Sequence, residues 1–167
     1  YIIDRNGNDS SIALHGVSMG ASTVLMTSGE KLPKQVKAII ADCGYTSAKD
    51  VLTYQLKRMY QLPSFPILLS TSLLTKIRAG YFFEEATAIE QVKKNKLPIL
   101  FIHGDDDRFV PCEMSQECYD SCKSEKRLVF VKDAGHGISY CVDGKLYEKE
   151  VASFMGKVLE KTPQYLS

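Results

Sequence analysis

Four short apolar segments, each followed by a stretch with helical periodicity, most constrain how this chain can fold. They read SIALHGV, VKAIIA, PILFIH and RLVFVK, and they occupy residues 11–17, 36–41, 98–103 and 127–132. Short runs rich in Ile, Val, Leu and Phe are typical of parallel strands that are buried on both faces. We therefore predict an α/β fold with three α/β/α layers around a mainly parallel sheet.

The segments between these strands carry the helical patterns. We expect helices over residues 19–28, 47–59, 86–94, 112–122 and 147–159. Residues 60–83 break the rhythm, because LPSFPILLSTSLL has two prolines in an apolar context and is too long for a plain crossover. This excursion is either a small lid over the sheet or an irregular surface connection. Without repeats or a low-complexity linker, residues 1–167 are predicted to form a single domain.

Composition excludes several classes of partner. The 21 basic and 20 acidic side chains nearly cancel to a formal charge of +1, so no global field attracts nucleic acid or an anionic membrane. No window has the roughly 18 uninterrupted apolar residues of a membrane span. Five cysteines without a C-x-x-C pair favour a reducing, cytoplasmic setting, although a sequence that opens on Tyr1 leaves targeting undecided. Cys118 and Cys122 lie four apart but lack a second ligand pair, so we interpret them as core or surface residues and predict no metal site.

A G-x-S-x-G pattern lies where the first strand meets the first long helix. It is formed by Gly16, Ser18 and Gly20 in HGVSMG. A strand-to-helix turn of this kind holds the serine in a strained conformation that exposes its hydroxyl, and glycines are needed where neighbouring backbone comes too close. The next amide, that of Met19, would point at an oxyanion at the positive end of the helix.

Two further strand ends carry groups that a nucleophilic serine needs. The third strand is followed by HGDDDRFVP, and the fourth by DAGHGIS, in which His136 has glycine on both sides and little to pack against. His15 and His103 lie in or at the end of strands, and we expect them to orient backbone groups. A nucleophilic serine needs a histidine base, and the histidine needs an acid. His136 is therefore the candidate base, and an aspartate near position 107 is the candidate acid.

The order Ser18, aspartate, His136 resembles that of the α/β-hydrolase family. The matching motifs are GVSMG as nucleophile elbow, HGDDDRFVP as the H-G-x-x-D-x-x-V-P acid loop, and AGHG as the histidine loop. The resemblance implies that Ser18 is the nucleophile, Asp107 the acid and His136 the base. Within the family, the chain looks most similar to the bacterial serine hydrolases related to carboxylesterases and to the serine aminopeptidase and prolyl oligopeptidase branches.

Asp42, at the end of the second strand in ADCGY, is a rival acid because some members of the family place the acid there. The match at Asp107 extends further, across His103, Gly104, Val110 and Pro111, and we favour it. Asp42 could otherwise cap or brace a loop.

The family fold has about eight strands, and this chain resembles the C-terminal half of it. The loop that gives the second oxyanion amide belongs to the other half of the fold. The strand at 11–17 would also expose an apolar edge, through which we expect the chain to self-associate.

The resemblance implies a serine hydrolase that cleaves an ester of a small-molecule acyl substrate, without a metal or organic cofactor. Peptide hydrolysis by the same fold is the alternative within the enzyme class. A noncatalytic, truncated hydrolase module that acts in binding or assembly is the alternative outside it.

Overall fold

The computed structural model describes residues 1–160, so residues 161–167 of the predicted single domain lie outside the described part. The strands are β1 Ile12–Val17, β2 Val36–Asp42, β3 Ile99–Gly104 and β4 Lys126–Val131. The helices are α1 Ile2–Asn6, α2 Met19–Thr27, α3 Ala48–Tyr60, α4 Ile67–Ala79, α5 Ala88–Val92, α6 Glu113–Ser121, α7 Ser139–Val142 and α8 Gly144–Glu160, with a 3₁₀ turn at Phe83–Glu85.

The strands form one parallel sheet in the order β1-β2-β3-β4. Each begins and ends within one residue of the predicted bounds. Because all four run in the same direction, the loops that follow them meet at one edge of the sheet. That edge carries the serine, acid and histidine loops.

Both faces of the sheet are buried, and alternate residues divide between them. Ile39 and Ala41 of β2 join a cluster with residues of α2, α5 and α6 on one face. Ala38 and Ile40 join a second cluster, on the other face, with residues of α8. The predicted three-layer α/β/α architecture is confirmed, and its uninterrupted apolar strands are explained by burial on both sides.

The excursion at 60–83 is largely helical, which corrects the reading of it as an irregular connection. Helix α3 continues to Tyr60, and α4 occupies much of the remainder before Gly80 ends it with a φ of 86°. Leu68 and Ser72 of α4 are buried, whereas Leu73 and Ile77 are exposed. The prolines precede the helix instead of interrupting it, so they do not prevent it from forming. Helices α1 and α7 are further elements that the sequence patterns did not predict.

Strand β1 lies at one end of the sheet and pairs with β2 alone among the described residues. Val17 at its end is 45% exposed. No helix in residues 1–160 has the length and apolar character needed to cross a membrane.

Candidate active site

Ser18 lies on the turn between β1 and α2. Its φ of 55° and ψ of −116° belong to a backbone conformation that residues other than glycine rarely adopt. The turn is held by the Ser18 amide, which donates a hydrogen bond to the Asp42 carbonyl at 2.8 Å. A β-carbon on Gly16 would lie 2.2 Å from the carbonyl oxygen of Gly20, so the first glycine of the motif is required for the backbone to turn so tightly.

The second glycine of the motif, Gly20, is not required by a close approach of backbone. A β-carbon on Gly20 would meet nothing within 4 Å among the described residues. The expectation that both glycines avoid a backbone clash is therefore wrong for Gly20.

His136 lies on the loop after β4, and both of its ring nitrogens are engaged. Nε2 lies 2.7 Å from the Ser18 hydroxyl oxygen, and Nδ1 lies 2.7 Å from Oδ2 of Asp107. The Phe109 ring packs against the imidazole with a centroid distance of 4.9 Å. The His136 side chain remains 24% exposed. His136 is thus the link between the serine turn and the acid loop.

Asp107 accepts hydrogen bonds at both carboxylate oxygens. Oδ1 accepts from the amides of Phe109 and Val110 at 2.8 and 2.9 Å, and Oδ2 lies 3.1 Å from Nε2 of His103 as well as facing His136. Burial by itself raises the pKa of Asp107, but these donors outweigh burial and lower the pKa below its usual value. An ionised Asp107 accepts a hydrogen bond from Nδ1–H of His136, which leaves the Nε2 lone pair facing the Ser18 hydroxyl.

His103 is completely buried beneath the acid loop. Its Nε2 lies 2.9 Å from the carbonyl of Val110, which can only accept, so Nε2 carries a proton. Its Nδ1 pairs with the Ser115 hydroxyl at 2.6 Å. The prediction that His103 orients backbone is confirmed at Val110. The sequence did not indicate that the same nitrogen also approaches Asp107.

Asp42, the rival acid, lies apart from this chain of hydrogen bonds. Its carboxyl accepts from the Ser139 hydroxyl at 3.2 Å, and the Tyr147 hydroxyl faces it as well. Burial raises the pKa of Asp42. The two hydrogen bonds lower it, but by less, so the pKa stays above its usual value. Ser139 follows the histidine loop, so Asp42 has the loop-bracing position that was its alternative.

His15 contacts a side chain where a backbone partner was expected. Its Nε2 lies 2.9 Å from the Tyr147 hydroxyl, which connects β1 to α8 beneath the site. The expectation that His15 orients a backbone group is therefore wrong. The two residues are 132 positions apart, and no local pattern marks the pair.

The amide of Met19 is the first of α2, and the first amides of a helix have no partner within it. Together with the positive end of the helix, this amide can stabilise an oxygen anion formed at Ser18.

Asp105 and Asp106, the two aspartates before Asp107, have partners other than His136. Asp105 accepts from the amide of Asp133 at 2.6 Å, and Asp106 pairs with Arg108.

All five cysteines are free thiols. Cys118 and Cys122, considered above as a ligand pair, are buried in the core cluster of α2, α5 and α6.

Cys43 is also fully buried and directly follows β2 with a φ of 49°. Burial, reinforced by the nearby Asp42, raises the pKa of the Cys43 thiol to about 12. The described part of the chain has one group of side chains close enough together to bind a metal ion, namely Cys43, Asp107 and His136.

Two cavities differ in their relation to this site. The larger, about 670 Å³, lies at the opposite end of the sheet, where its lining includes Val36 and Pro98. The smaller, about 460 Å³, adjoins the acid loop, and its lining includes Tyr54, Asp107 and Pro111. Neither lining includes Ser18 or His136, and the smaller cavity meets the site only at the acid loop.

A parallel sheet with the serine after β1, the acid after β3 and the histidine after β4, in that chain order, defines the α/β-hydrolase class. A family model for the prolyl oligopeptidase family matches residues 4–162, and the chain belongs to that family.

Relatives and solved structures agree with this assignment. The chain is 32% identical over 151 residues to YqkD of Bacillus subtilis, with 90% of this chain and 50% of YqkD covered. It is 23% identical to YfhR of Escherichia coli K12, with 89% of this chain and 46% of YfhR covered. The chain thus spans about half the length of these relatives.

Two solved structures share the fold at low sequence identity. Acylaminoacyl peptidase of Pyrococcus horikoshii superposes with a TM-score of 0.69 at 17% identity, covering 98% of this chain and 26% of that one. Esterase Pf2001 of Pyrococcus furiosus superposes with a TM-score of 0.68 at 21% identity, covering 95% and 57%. The predicted resemblance to α/β-hydrolases is confirmed, and the partial coverage agrees with a match to half of the fold.

Proposed function

We propose that the protein is a serine hydrolase that cleaves an ester by acyl transfer to Ser18 and then to water. The observation that carries the proposal is the continuous chain of hydrogen bonds from the Ser18 hydroxyl through His136 to Asp107, with 2.7 Å at each step. We refer to these three residues as the candidate triad.

The first half-reaction uses the groups as they lie. The Ser18 oxygen attacks the ester carbonyl carbon while Nε2 of His136 takes the hydroxyl proton. Asp107 holds Nδ1–H and stabilises the resulting imidazolium charge. The Met19 amide donates to the oxyanion of the tetrahedral intermediate. Collapse of that intermediate breaks the ester bond, and the alcohol leaves with the proton from Nε2.

Water completes the cycle by the same route. Nε2 of His136, now neutral, takes a proton from a water molecule that attacks the acyl carbon. The second intermediate collapses, releases the carboxylic acid and returns the proton to the Ser18 oxygen. No step requires electrons or a co-reactant other than water.

The side chains near the site favour an apolar acyl group. Phe109 is 47% exposed beside His136, and its ring supplies the apolar surface nearest the base. A hydrophobic acyl chain could lie against such a surface, because burial of apolar area is favourable by roughly 25 cal/mol per Å².

Labelling of Ser18 by a fluorophosphonate tests the proposal directly. We expect the full-length protein to form one covalent adduct on Ser18 and the Ser18→Ala variant to form none. Thr23, an exposed hydroxyl residue of α2, provides the control, since Thr23→Ala should label like the unaltered protein. Absence of an adduct on folded protein would favour the noncatalytic alternative.

Peptide hydrolysis is the second candidate function, because the chain belongs to the prolyl oligopeptidase family and shares its fold with an acylaminoacyl peptidase. An amide needs a protonated leaving nitrogen, which the same His136 would supply. Hydrolysis rates on p-nitrophenyl esters and on aminoacyl anilides separate the two. We expect a higher kcat/KM on the esters, and the reverse order would favour the peptidase.

A further inference from the structure

A third kind of ligand atom lies beside the acid and histidine of the candidate triad. The Cys43 thiol, an Asp107 carboxylate oxygen and a His136 ring nitrogen all lie within 4.8 Å of one another. We propose that these three residues bind a thiophilic divalent cation such as Zn²⁺ or Cd²⁺, and that binding inhibits the enzyme by engaging His136. The inhibition rests on the proposed function, whereas the binding does not.

The ligand set suits such a cation. One thiolate, one imidazole and one carboxylate are ligands that zinc takes, and a fourth tetrahedral position stays open to water. Zn–S bonds of about 2.3 Å and Zn–N or Zn–O bonds of about 2.0–2.2 Å place ligand atoms about 3.3–3.6 Å apart. The three ligand atoms now lie within 4.8 Å of one another, with Asp107 and His136 in contact at 2.7 Å, so binding requires the thiol to approach and that contact to open.

Cys43 is held in this place by the backbone on either side of it. Its amide donates to the Ile102 carbonyl at 2.9 Å, and its thiol faces the amides of Ser18 and Gly137. The thiol therefore lies between the serine turn and the histidine loop. Cys43 and the Asp107 side chain are shielded from solvent, whereas the His136 side chain is partly exposed. A cation would therefore enter from the side of His136.

Binding of the cation would remove the base from the reaction. The Cys43 thiol loses its proton to solvent, and a lone pair of the neutral imidazole binds the metal. If Nδ1 is the ligand, its proton moves to Nε2, which then presents N–H to the Ser18 oxygen and cannot accept a proton. If Nε2 is the ligand, its hydrogen bond with Ser18 is broken. Either arrangement leaves Ser18 without a base.

The test uses full-length protein that carries Cys112→Ala and Cys141→Ala, because these two thiols are the ones not buried. EDTA-treated protein is titrated with CdCl₂ while the thiolate-to-cadmium charge-transfer absorption and the rate of ester hydrolysis are measured. We expect a band that saturates at one cadmium per chain, a parallel loss of hydrolysis, and reversal of both by EDTA.

Cys43→Ala on the same background should keep its metal-free rate, since the proposed reaction does not use the thiol. It should lose the band, and the cadmium concentration for half-inhibition should rise about tenfold or more, as expected for loss of a strong ligand. Circular dichroism checks its folding, and Cys43→Ser is the second variant if alanine is not tolerated.

Equal cadmium sensitivity with and without Cys43, or an unchanged band in Cys43→Ala, would overturn the proposal. Failure of the proposed function has a different signature: a protein without hydrolase activity would still show the cadmium band and lose it on removal of Cys43.

Discussion

The carbonyl oxygen of Gly20 lies 2.2 Å from the point that a β-carbon on Gly16 would occupy. The first turn of α2 therefore folds back against the end of β1 closely enough to exclude any side chain at position 16. This contact gives Ser18 its strained conformation, since the chain must reverse within the residues between the two glycines.

Gly16→Ala should disrupt the turn, whereas Gly20→Ala should be tolerated. The first places a methyl group on backbone atoms and should destabilise the fold by about 1–3 kcal/mol or more. The second meets nothing within 4 Å and adds helix propensity, so it should change stability by less than about 1 kcal/mol. Urea denaturation and fluorophosphonate labelling measure both effects. Equal losses in the two variants would show that the contact does not determine the turn.

Asp107→Asn and Asp42→Asn should separate the two candidate acids. Asparagine at 107 can present its amide N–H to His136 and favour the wrong tautomer, so hydrolysis should fall about ten-thousand-fold, as in triads of this type. Asparagine at 42 can still accept from Ser139 through its carbonyl oxygen, and the rate should stay within about tenfold, because a loop brace does not contact the reacting atoms. Values of kcat/KM on a p-nitrophenyl ester show which aspartate is the acid of the triad. A larger loss in Asp42→Asn than in Asp107→Asn would assign that role to Asp42.

The same two variants should shift the pH dependence of stability in opposite directions. The folded state raises the pKa of Asp42, so its contribution to stability is fully present below its unfolded pKa and is lost as pH rises through the folded value. Asp42→Asn removes that loss and should gain stability relative to the unaltered protein as pH rises.

The folded state lowers the pKa of Asp107, so its contribution is present above the unfolded value and is lost as pH falls through the folded one. Asp107→Asn should therefore lose stability relative to the unaltered protein as pH rises from acid to neutral. Urea unfolding at about pH 3 and at pH 7, below and above the ordinary aspartate pKa of about 3.9, measures both. Shifts of the same sign in the two variants would contradict these pKa directions.

Sequence reasoning was most successful where local pattern and burial coincide. All four strands could be predicted because residues such as Ile39 and Ile40 face opposite apolar layers, which leaves the whole run apolar. The meeting of Ser18, Asp107 and His136 could be anticipated because parallel strands bring their following loops to one edge.

Features that depend on tertiary approach were missed. The contact between His15 and Tyr147 joins residues 132 positions apart, and Ser139 reaches Asp42 across 97 positions. Neither pair has a signature in spacing. Helix α4 was obscured by its composition, since an apolar helix beside two prolines resembles an irregular segment until the prolines are seen to precede it.

The open edge of β1 leads to the last prediction, which concerns self-association. The Ile12 amide donates to the carbonyl of Gln35, just before β2, and the Ser18 amide donates to the carbonyl of Asp42, the last residue of β2. The odd-numbered amides between them therefore face away from the sheet. Those of Ala13 and His15 can pair with a strand of another molecule. The 167-residue chain should therefore form dimers or larger species, measured by light scattering across a concentration series.

Ala13→Pro is the matched variant for this edge. Proline removes an outward amide, leaves the bonds to β2 in place and is tolerated on edge strands, so it should lower the fraction of associated protein without unfolding the sheet. Association that persists in Ala13→Pro would point to another surface, such as the exposed apolar residues of α4. A monomeric mass for the unaltered chain at high concentration would exclude pairing through β1, and the apolar edge would then have to be protected by the twist and short length of the strand.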